Sequence, residues 1–174
     1  MWYTHTRESL NLMLIGVVSD THNNLKNIDR IISLFNTKRV CTVIHTGDIT
    51  NANSLDKFSL LDSKLYGVYG NNDRNELGLT EIAKKNNFRI QDPPYKIKLD
   101  NKTIAIFHEP ENIEEFLLKN EVDIVLHGHT HRYREERIDK TLVFNPGESA
   151  GIFEGNNAIG IIDLNDLSVE RIFF

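Results

Sequence analysis

Cysteine is almost absent from the sequence, because Cys41 is the only one among 174 residues. A single cysteine cannot form an intramolecular disulfide or build a thiolate metal cluster. We interpret Cys41, which opens a predicted strand, as a small buried hydrophobe rather than a reactive thiol. Any metal ligands must therefore come from histidine, carboxylate or amide side chains.

Long apolar runs are also missing. No run approaches the roughly 20 apolar residues that a membrane-spanning helix needs, and residues 1–12 lack the apolar centre of a signal peptide. We therefore expect a cytoplasmic protein without a membrane partner. Met13 opens the first strong hydrophobic run, so residues 1–12 are interpreted as an N-terminal extension and residues 13–174 as a single domain.

Positive charge is not in excess, since the formal net charge is -5. This disfavours a protein that holds nucleic acid by broad neutralisation of phosphates, and nucleic acid is not expected as a substrate. Hydrophobic residues make up 40% of the chain and charged residues 26%. Those fractions are typical of a folded globular domain rather than of a disordered or fibrous chain.

Short apolar runs alternate with amphipathic segments over the first part of the sequence. The first apolar run is followed by apolar residues at helical spacing, and this cycle then repeats. Such alternation favours parallel pairing of the strands. The predicted elements are strands at 14–18, 42–44 and 65–69 and helices at 25–35, 54–62 and 79–86.

The pattern changes after Pro93-Pro94. Two strand-like segments, 95–99 and 103–107, flank Asp100-Asn101-Lys102, which is typical of a hairpin turn. We therefore expect a layered α/β domain with two packed sheets. The remaining predicted elements are a short helix carrying Ile113, Phe116 and Leu117 and strands at 122–126, 133–138, 141–144, 158–164 and 168–173.

Five of the predicted apolar strands are each followed by a side chain that can bind a metal. Ligand sites in open α/β sheets form outside the carboxyl ends of the strands, so side chains that are distant in sequence can converge there. This recurrence is the main evidence for function in the sequence. The five residues are Asp20, Asp48, Asn71, His108 and His129.

Two of these residues have a histidine two positions later, which gives the pairs Asp20/His22 and His129/His131. In locally extended chain, residues i and i+2 point the same way and stand roughly 6.6 Å apart, at about 3.3 Å per residue. That reach suits the chelation of one metal or the bridging of two ions about 3.5 to 4 Å apart.

Glycines precede three of the candidate ligands, at Gly47, Gly70 and Gly128. A residue without a side chain lets the backbone turn sharply and approach a ligand closely. Each of these short motifs, taken alone, is more often a turn or a helix cap than a site. Their combination, in this order and at strand ends, favours a metal site.

The ordered set of motifs resembles the calcineurin-like metallophosphoesterases, and within them the small prokaryotic phosphodiesterases of the YfcE type. The resemblance covers residues 13–174. It implies a four-layer α/β/β/α sandwich with two packed mixed sheets, the metallo-dependent phosphatase fold, and a dinuclear metal centre. The motifs are Asp20-Thr21-His22, Gly47-Asp48, Gly70-Asn71-Asn72-Asp73, His108, Gly128-His129-Thr130-His131 and a later Asn145-Pro146-Gly147 loop.

The resemblance also implies a role for each matching residue. Two divalent cations would be bound, with manganese expected and nickel, zinc and iron as alternatives, because imidazole, carboxylate and amide oxygen suit these metals. Catalytic roles are implied for Asp48, Asn72 and Asp73. The implied ligands are Asp20, His22 and His131 for one ion, Asn71, His108 and His129 for the other, and Asp48 as the bridge between them.

The expected function is the hydrolysis of a small anionic phosphodiester by a metal-activated water. Two divalent cations against the charges of Asp20 and Asp48 leave the centre near plus two, which attracts an anion. The resemblance further implies a homodimer. Two alternatives are a protein-interaction scaffold of the same fold, similar to a retromer subunit, and a DNA-processing nuclease. The complete ligand set argues against the scaffold, and the short chain argues against the nuclease.

The sequence departs from the family pattern at two positions. Asn72 stands where many members have a histidine that protonates the leaving group, and an amide cannot donate a proton usefully at neutral pH. Glu109 stands where relatives commonly have glycine. Glu109 either crowds the substrate or belongs to a solvated helix N-terminus, and the second interpretation is favoured.

Further histidines adjoin the motifs. His45 and His127 lie in predicted strands and are interpreted as packing residues rather than proton carriers. On its residues alone, the Asn145-Pro146-Gly147-Glu148-Ser149 segment is a turn.

Overall fold

The computed structural model describes residues 13–174, so the predicted extension at 1–12 lies outside the described residues. The elements follow one another as strands and helices up to β4 and mainly as strands afterwards. They are β1 (Leu14–Val18), α1 (Leu25–Lys38), β2 (Thr42–His45), α2 (Ala52–Lys57), a 3-10 turn (Phe58–Leu60), β3 (Lys64–Val68), α3 (Leu79–Lys85), β4 (Arg89–Gln91), β5 (Tyr95–Leu99), β6 (Lys102–Ile106), α4 (Ile113–Leu117), β7 (Ile124–Leu126), β8 (Arg134–Ile138), β9 (Thr141–Asn145), β10 (Ala158–Asp163) and β11 (Val169–Phe173).

The strands form two mixed sheets. The first has six strands in the order β11-β10-β1-β2-β3-β4, with β1 to β4 parallel and β10 antiparallel to both of its neighbours. The second has five strands in the order β5-β6-β7-β9-β8, with β6, β7 and β9 parallel and the outer two strands antiparallel. The predicted parallel pairing and the two packed mixed sheets are confirmed.

The core has three parts that define four layers. Between the sheets, residues such as Ile15 and Ile44 pack with Ile104 and Phe144. The outer face of the first sheet packs against apolar residues of α1, α2 and α3. The outer face of the second sheet packs against α4 through Ile113 and its neighbours. The molecule is therefore the predicted α/β/β/α sandwich.

Helix α1 covers the first sheet because of the spacing of its apolar residues. Ile28, Ile31, Ile32 and Phe35 recur at helical intervals on one face, and all four are buried. The side chain of Asn24 caps the helix by accepting from the Asn27 amide. This helix begins three residues after His22 and thereby fixes the position of the loop that carries His22.

Three local predictions differ from the structure. The helix predicted at 54–62 begins at Ala52, because Asn51 caps it by accepting from the Ser54 amide, and its last turn is 3-10. Strand β4 was not predicted, since three residues with a single apolar side chain are recognisable as a strand only by their pairing with β3. Cys41 is exposed, so its prediction as a buried hydrophobe is wrong; it precedes β2 and lies outside the sheet core.

Candidate metal centre

The loops after β1, β2 and β6 bring buried ligand atoms together. Asp20, Asp48 and His108 each offer one such atom, and these atoms all lie within 4.8 Å of one another. A second group, Asp20, His22 and His131, meets the same limit. Asp20 belongs to both groups, so the five residues form one continuous cluster at the carboxyl ends of the strands.

Asn71 connects the remaining predicted ligands to this cluster. Its Oδ1 lies 2.9 Å from Nε2 of His108 and 3.0 Å from Nδ1 of His129. Nε2 of His108 also lies 3.4 Å from Oδ1 of Asp48. All seven residues that the sequence analysis named as ligands therefore meet in one place.

The hydrogen-bonding state of His108 shows what this cluster can bind. Its Nδ1 lies 2.8 Å from the carbonyl oxygen of Thr46, which can only accept, so Nδ1 carries the proton. In a neutral ring, Nε2 is then an acceptor as well. It faces oxygens of Asn71 and Asp48, and such a convergence of acceptors fits a cation.

Two unpaired polar atoms support the same conclusion. Oδ1 of Asp20 and Nε2 of His22 are buried without a hydrogen-bond partner. Nε2 of His131 lies 3.5 Å from that Asp20 oxygen, and Nε2 of His22 lies 3.9 Å from Oδ2 of Asp48. Buried polar atoms without partners cost free energy, and divalent cations would satisfy these.

The electrostatics of Asp20 also reflect burial. Burial raises the pKa of Asp20, while a hydrogen bond from the Ser19 hydroxyl and the nearby His108 and His131 lower it. The amide of His129 donates to Oδ2 of Asp20 at 3.1 Å. Two donors therefore hold one carboxylate oxygen, and the other oxygen is directed at the ligand cluster.

The backbone presents the pairs Asp20/His22 and His129/His131 in a way that the sequence did not predict. Asp20 and His22 have φ angles of 51° and 44°, and His129 and His131 have φ angles of 66° and 56°. The backbone of these residues has the left-handed conformation, so the prediction of a locally extended chain is wrong. Non-glycine residues in this region cost of order 1 to 3 kcal/mol each.

Hydrogen bonds between the loops offset this backbone cost. The amide of Asp20 donates to the Gly47 carbonyl at 3.1 Å, and the amide of His22 donates to the Asp48 carbonyl at 2.9 Å. Two backbone hydrogen bonds therefore join the loop after β1 to the loop after β2. The left-handed turns thus bring both members of a pair to the same cluster.

The glycines next to the ligands are required by close backbone approach, as predicted. A side chain at Gly70 would collide with the carboxylate and the amide of Asp48, and one at Gly128 would collide with the Ser19 hydroxyl. Glycine therefore allows loops from both sheets to meet at the cluster.

Asp73 lies against backbone amides rather than against the ligand cluster. Its carboxylate is buried and accepts from the amides of Asp48 (2.9 Å), Ile49 (2.9 Å), Thr50 (2.7 Å) and Gly70 (2.7 Å). Burial raises the pKa of Asp73, and the amide donors oppose that effect. Asp73 therefore fastens the loop after β2 to the loop after β3.

Asn72 contacts both oxygens of Asp48. Its backbone amide donates to Oδ1 at 3.0 Å and its side-chain amide donates to Oδ2 at 2.7 Å. Asn72 therefore orients the Asp48 carboxylate.

The two other buried histidines stand at strand ends, His45 as the last residue of β2 and His127 directly after β7. His45 has a partner at each ring nitrogen: Nδ1 accepts from the Gly47 amide and Nε2 lies 3.0 Å from the Thr21 hydroxyl. Burial lowers the pKa of His45 to about 3 and that of His127 to about 4.

Two features near the cluster were missed or left open by sequence reasoning. Glu148 is buried beside His131, whereas the sequence alone indicates only a turn there; the one available signal is a carboxylate directly after the Asn145-Pro146-Gly147 motif. Glu109 is partly exposed and lies 4.0 Å from Arg74. Glu109 and Arg74 line a cavity of about 380 Å³ that also reaches His108.

Comparison with known proteins gives the family. The model of the calcineurin-like phosphoesterase superfamily domain matches residues 13–167. Phosphodiesterase MJ0936 of Methanocaldococcus jannaschii is 38% identical over 154 residues, which cover 87% of this chain and 93% of the relative. Phosphodiesterase YfcE of Escherichia coli is 26% identical over 178 residues, which cover 91% of each chain.

A solved structure agrees with this assignment. It is described as that of a novel archaeal phosphodiesterase, and it is 34% identical to this chain. It superposes with a TM-score of 0.85 over 93% of this chain and 100% of the other. In the part of the chain that the structure describes, no helix is both long and apolar enough to cross a bilayer. With its two sheets, its convergent ligands and these relatives, the chain belongs to the calcineurin-like phosphoesterase superfamily.

Proposed function

We propose that this protein is a metal-dependent phosphodiesterase that hydrolyses small anionic phosphodiesters at a dinuclear centre. The proposal is carried by Asp48, whose two oxygens face different parts of the cluster. Oδ1 lies 3.4 Å from Nε2 of His108, and Oδ2 lies 3.9 Å from Nε2 of His22. A carboxylate in that position suits a bridge between two cations.

These contacts support the proposed ligand groups. Asp20, His22 and His131 would hold one ion, and Asn71, His108 and His129 would hold the other, with Asp48 between them. The bound cations would supply positive charge for the phosphoryl oxygens and an activated water for the attack. This donor set of imidazole, carboxylate and amide oxygen suits manganese, nickel, zinc or iron, and manganese is the proposed metal.

The residues around the ligands have supporting roles in this proposal. Asn72 orients Asp48 through two hydrogen bonds, and Asp73 positions the loops that carry Asp48 and Asn71. Neither Asn72 nor Asp73 can donate a proton to a leaving alcohol at neutral pH. Asn72 is an amide, and both oxygens of Asp73 accept hydrogen bonds from backbone amides. A cytoplasmic homodimer remains a prediction.

Metal analysis combined with hydrolysis assays tests the proposal. The purified chain is freed of metal, reloaded with manganese, nickel, zinc or magnesium, and assayed with aryl phosphodiesters and monoesters. Asp48→Ala is expected to lower turnover more than about 10²-fold with the fold retained, since even outer-shell changes at metal sites cost about 10- to 100-fold. Asp62→Ala, which removes an exposed carboxylate, is the matched control and should retain full activity.

A non-catalytic scaffold is the competing function. A scaffold gains nothing from seven convergent ligand side chains with unpaired buried atoms, so the geometry favours the enzyme. Absence of hydrolysis with every metal and every ester tested, in a chain that binds metal, would favour the scaffold instead.

A further inference from the structure

Glu148 is a fully buried carboxylate outside the seven proposed ligands. Its Oε1 accepts from the Phe153 amide at 2.7 Å and its Oε2 accepts from the Ile152 amide at 3.2 Å. Oε2 also lies 3.5 Å from Nδ1 of His131. Burying a carboxylate is costly unless it is paired, so these three contacts account for its position.

The two ring nitrogens of His131 face different partners. Nε2 lies 3.5 Å from Oδ1 of Asp20, within the ligand cluster, whereas Nδ1 faces Glu148. In a neutral imidazole only one nitrogen carries a proton. A carboxylate beside Nδ1 favours the proton there, which leaves the lone pair of Nε2 directed at the cluster.

The segment that carries Glu148 also supports the backbone on either side of the metal ligand His129. The side-chain amide of Asn145 donates to the Gly128 carbonyl and to the Thr130 hydroxyl, each at 3.2 Å. Its oxygen accepts from the Gly147 amide at 2.9 Å, which closes the turn before Glu148. The Asn145–Glu148 turn therefore contacts both the main chain of the 128–131 loop and the ring of His131.

The two residues that follow this turn are attached to the loop that carries His22 and to the start of α1. The side-chain amides of Asn24 and Asn27 donate to the carbonyl oxygens of Ala150 and Ser149, at 2.8 and 2.9 Å. Because Asn24 and His22 belong to the loop after β1, the residues after Glu148 are hydrogen-bonded to the loop that carries His22. A displacement of Glu148 relative to His131 is thereby restricted.

We infer that Glu148 is a positioning residue of the metal centre, which accepts the Nδ1 proton of His131 and so fixes this ring with Nε2 towards a divalent cation. The inference rests on the proposed metal site. The contact between Oε2 of Glu148 and Nδ1 of His131 is 3.5 Å long, which is an ion-pair distance beyond the usual range of about 2.7 to 3.2 Å for an N–H···O hydrogen bond. Partners of this kind typically contribute about 10- to 100-fold to metal affinity.

Titration of the metal-free chain with Mn²⁺ by calorimetry tests this role. Glu148→Gln keeps an acceptor oxygen for one of the two loop amides but loses the carboxylate. It is expected to weaken one Mn²⁺ equivalent about 10- to 100-fold and to leave the other unchanged. Glu154→Gln, which changes an exposed carboxylate of the same loop, should bind as the parent does. Parental affinity of Glu148→Gln for both equivalents would overturn the inference.

A second measurement covers the case in which Glu148→Gln does not fold. Long-range ¹H–¹⁵N spectra of the unmodified chain loaded with Zn²⁺ report which ring nitrogen of His131 carries the proton. A proton on Nδ1 is expected, and coordination through Nδ1 would contradict the role of Glu148. A parent chain that binds two ions yet hydrolyses no ester would contradict the proposed function alone.

Discussion

At the scale of single residues, Asn72 bears on how a leaving alcohol would depart in the proposed reaction. It donates hydrogen bonds to both oxygens of Asp48, and its amide cannot protonate the leaving group. We expect aryl phosphodiesters with acidic leaving groups to be hydrolysed much faster than alkyl diesters, with a steep dependence of kcat/KM on leaving-group pKa. The dependence should become shallower in Asn72→His. A rate that is independent of leaving-group pKa across the series would contradict this prediction.

Glu109 affects charge at the edge of the same cleft. It lies 4.0 Å from Arg74, and both side chains are at least partly exposed, so their pairing contributes little to stability. Its negative charge next to His108 should instead disfavour dianionic substrates. We expect Glu109→Gln to raise kcat/KM for phosphomonoesters a few-fold more than for diesters, with a smaller effect at high salt.

The control for this charge effect is Glu121→Gln, which neutralises an exposed carboxylate at another part of the surface. Equal changes for monoesters and diesters in Glu109→Gln would show that Glu109 has no role in selectivity. Unchanged turnover of diesters in Glu109→Gly would favour its interpretation as a solvated residue before α4.

At the scale of elements, Asp73 joins the loops after β2 and β3. Its carboxylate accepts hydrogen bonds from four backbone amides. The side-chain NH₂ of an asparagine would face at least one of these N–H donors. Since each buried unsatisfied donor costs about 1 to 3 kcal/mol, we expect Asp73→Asn to lower the free energy of unfolding by about 2 kcal/mol or more. Urea denaturation measures this loss, with Asp62→Asn as the exposed control.

The same substitution should weaken metal binding, because the loops carry Asp48 and Asn71. If Asp73→Asn unfolded at the parental urea concentration and bound Mn²⁺ with parental affinity, the joining role of Asp73 would be wrong.

At the scale of the whole molecule, buried His45 makes stability depend on pH. Burial lowers its pKa from 6.5 to about 3. The unfolded chain therefore takes up a proton below about pH 6.5 that the folded chain takes up only near pH 3. Above pH 6.5, His45 is neutral in both states and does not reduce the free energy of unfolding. As pH falls from 6.5 towards 3, the free energy of unfolding decreases by up to about 1.4 kcal/mol per pH unit.

Urea denaturation of the metal-free chain at pH 8, 6 and 5 measures this effect. His45→Asn keeps an acceptor for the Gly47 amide and is expected to flatten the decline in stability towards pH 5, whatever its stability at pH 8. The raised pKa values of Asp20 and Asp73 act in the opposite direction, so the difference between variant and parent isolates His45. Parallel pH profiles would contradict the prediction.

The sequence by itself determined the layers and the identity of the proposed ligands. Runs of apolar residues and their period are local properties, and metal-binding side chains directly after buried strands must lie at one edge of the sheets. That was enough to name Asp20, Asp48, Asn71, His108 and His129, which the structure brings together.

Only the tertiary structure decided how those residues are held. The left-handed turns at Asp20 and His129 are stabilised by neighbouring loops, and strand β4 exists because β3 pairs with it. The contacts of Asp73 with Asp48 and of Glu148 with His131 join residues far apart in the chain. Such contacts leave no periodic trace in the sequence, because each depends on the position of a partner that another element provides.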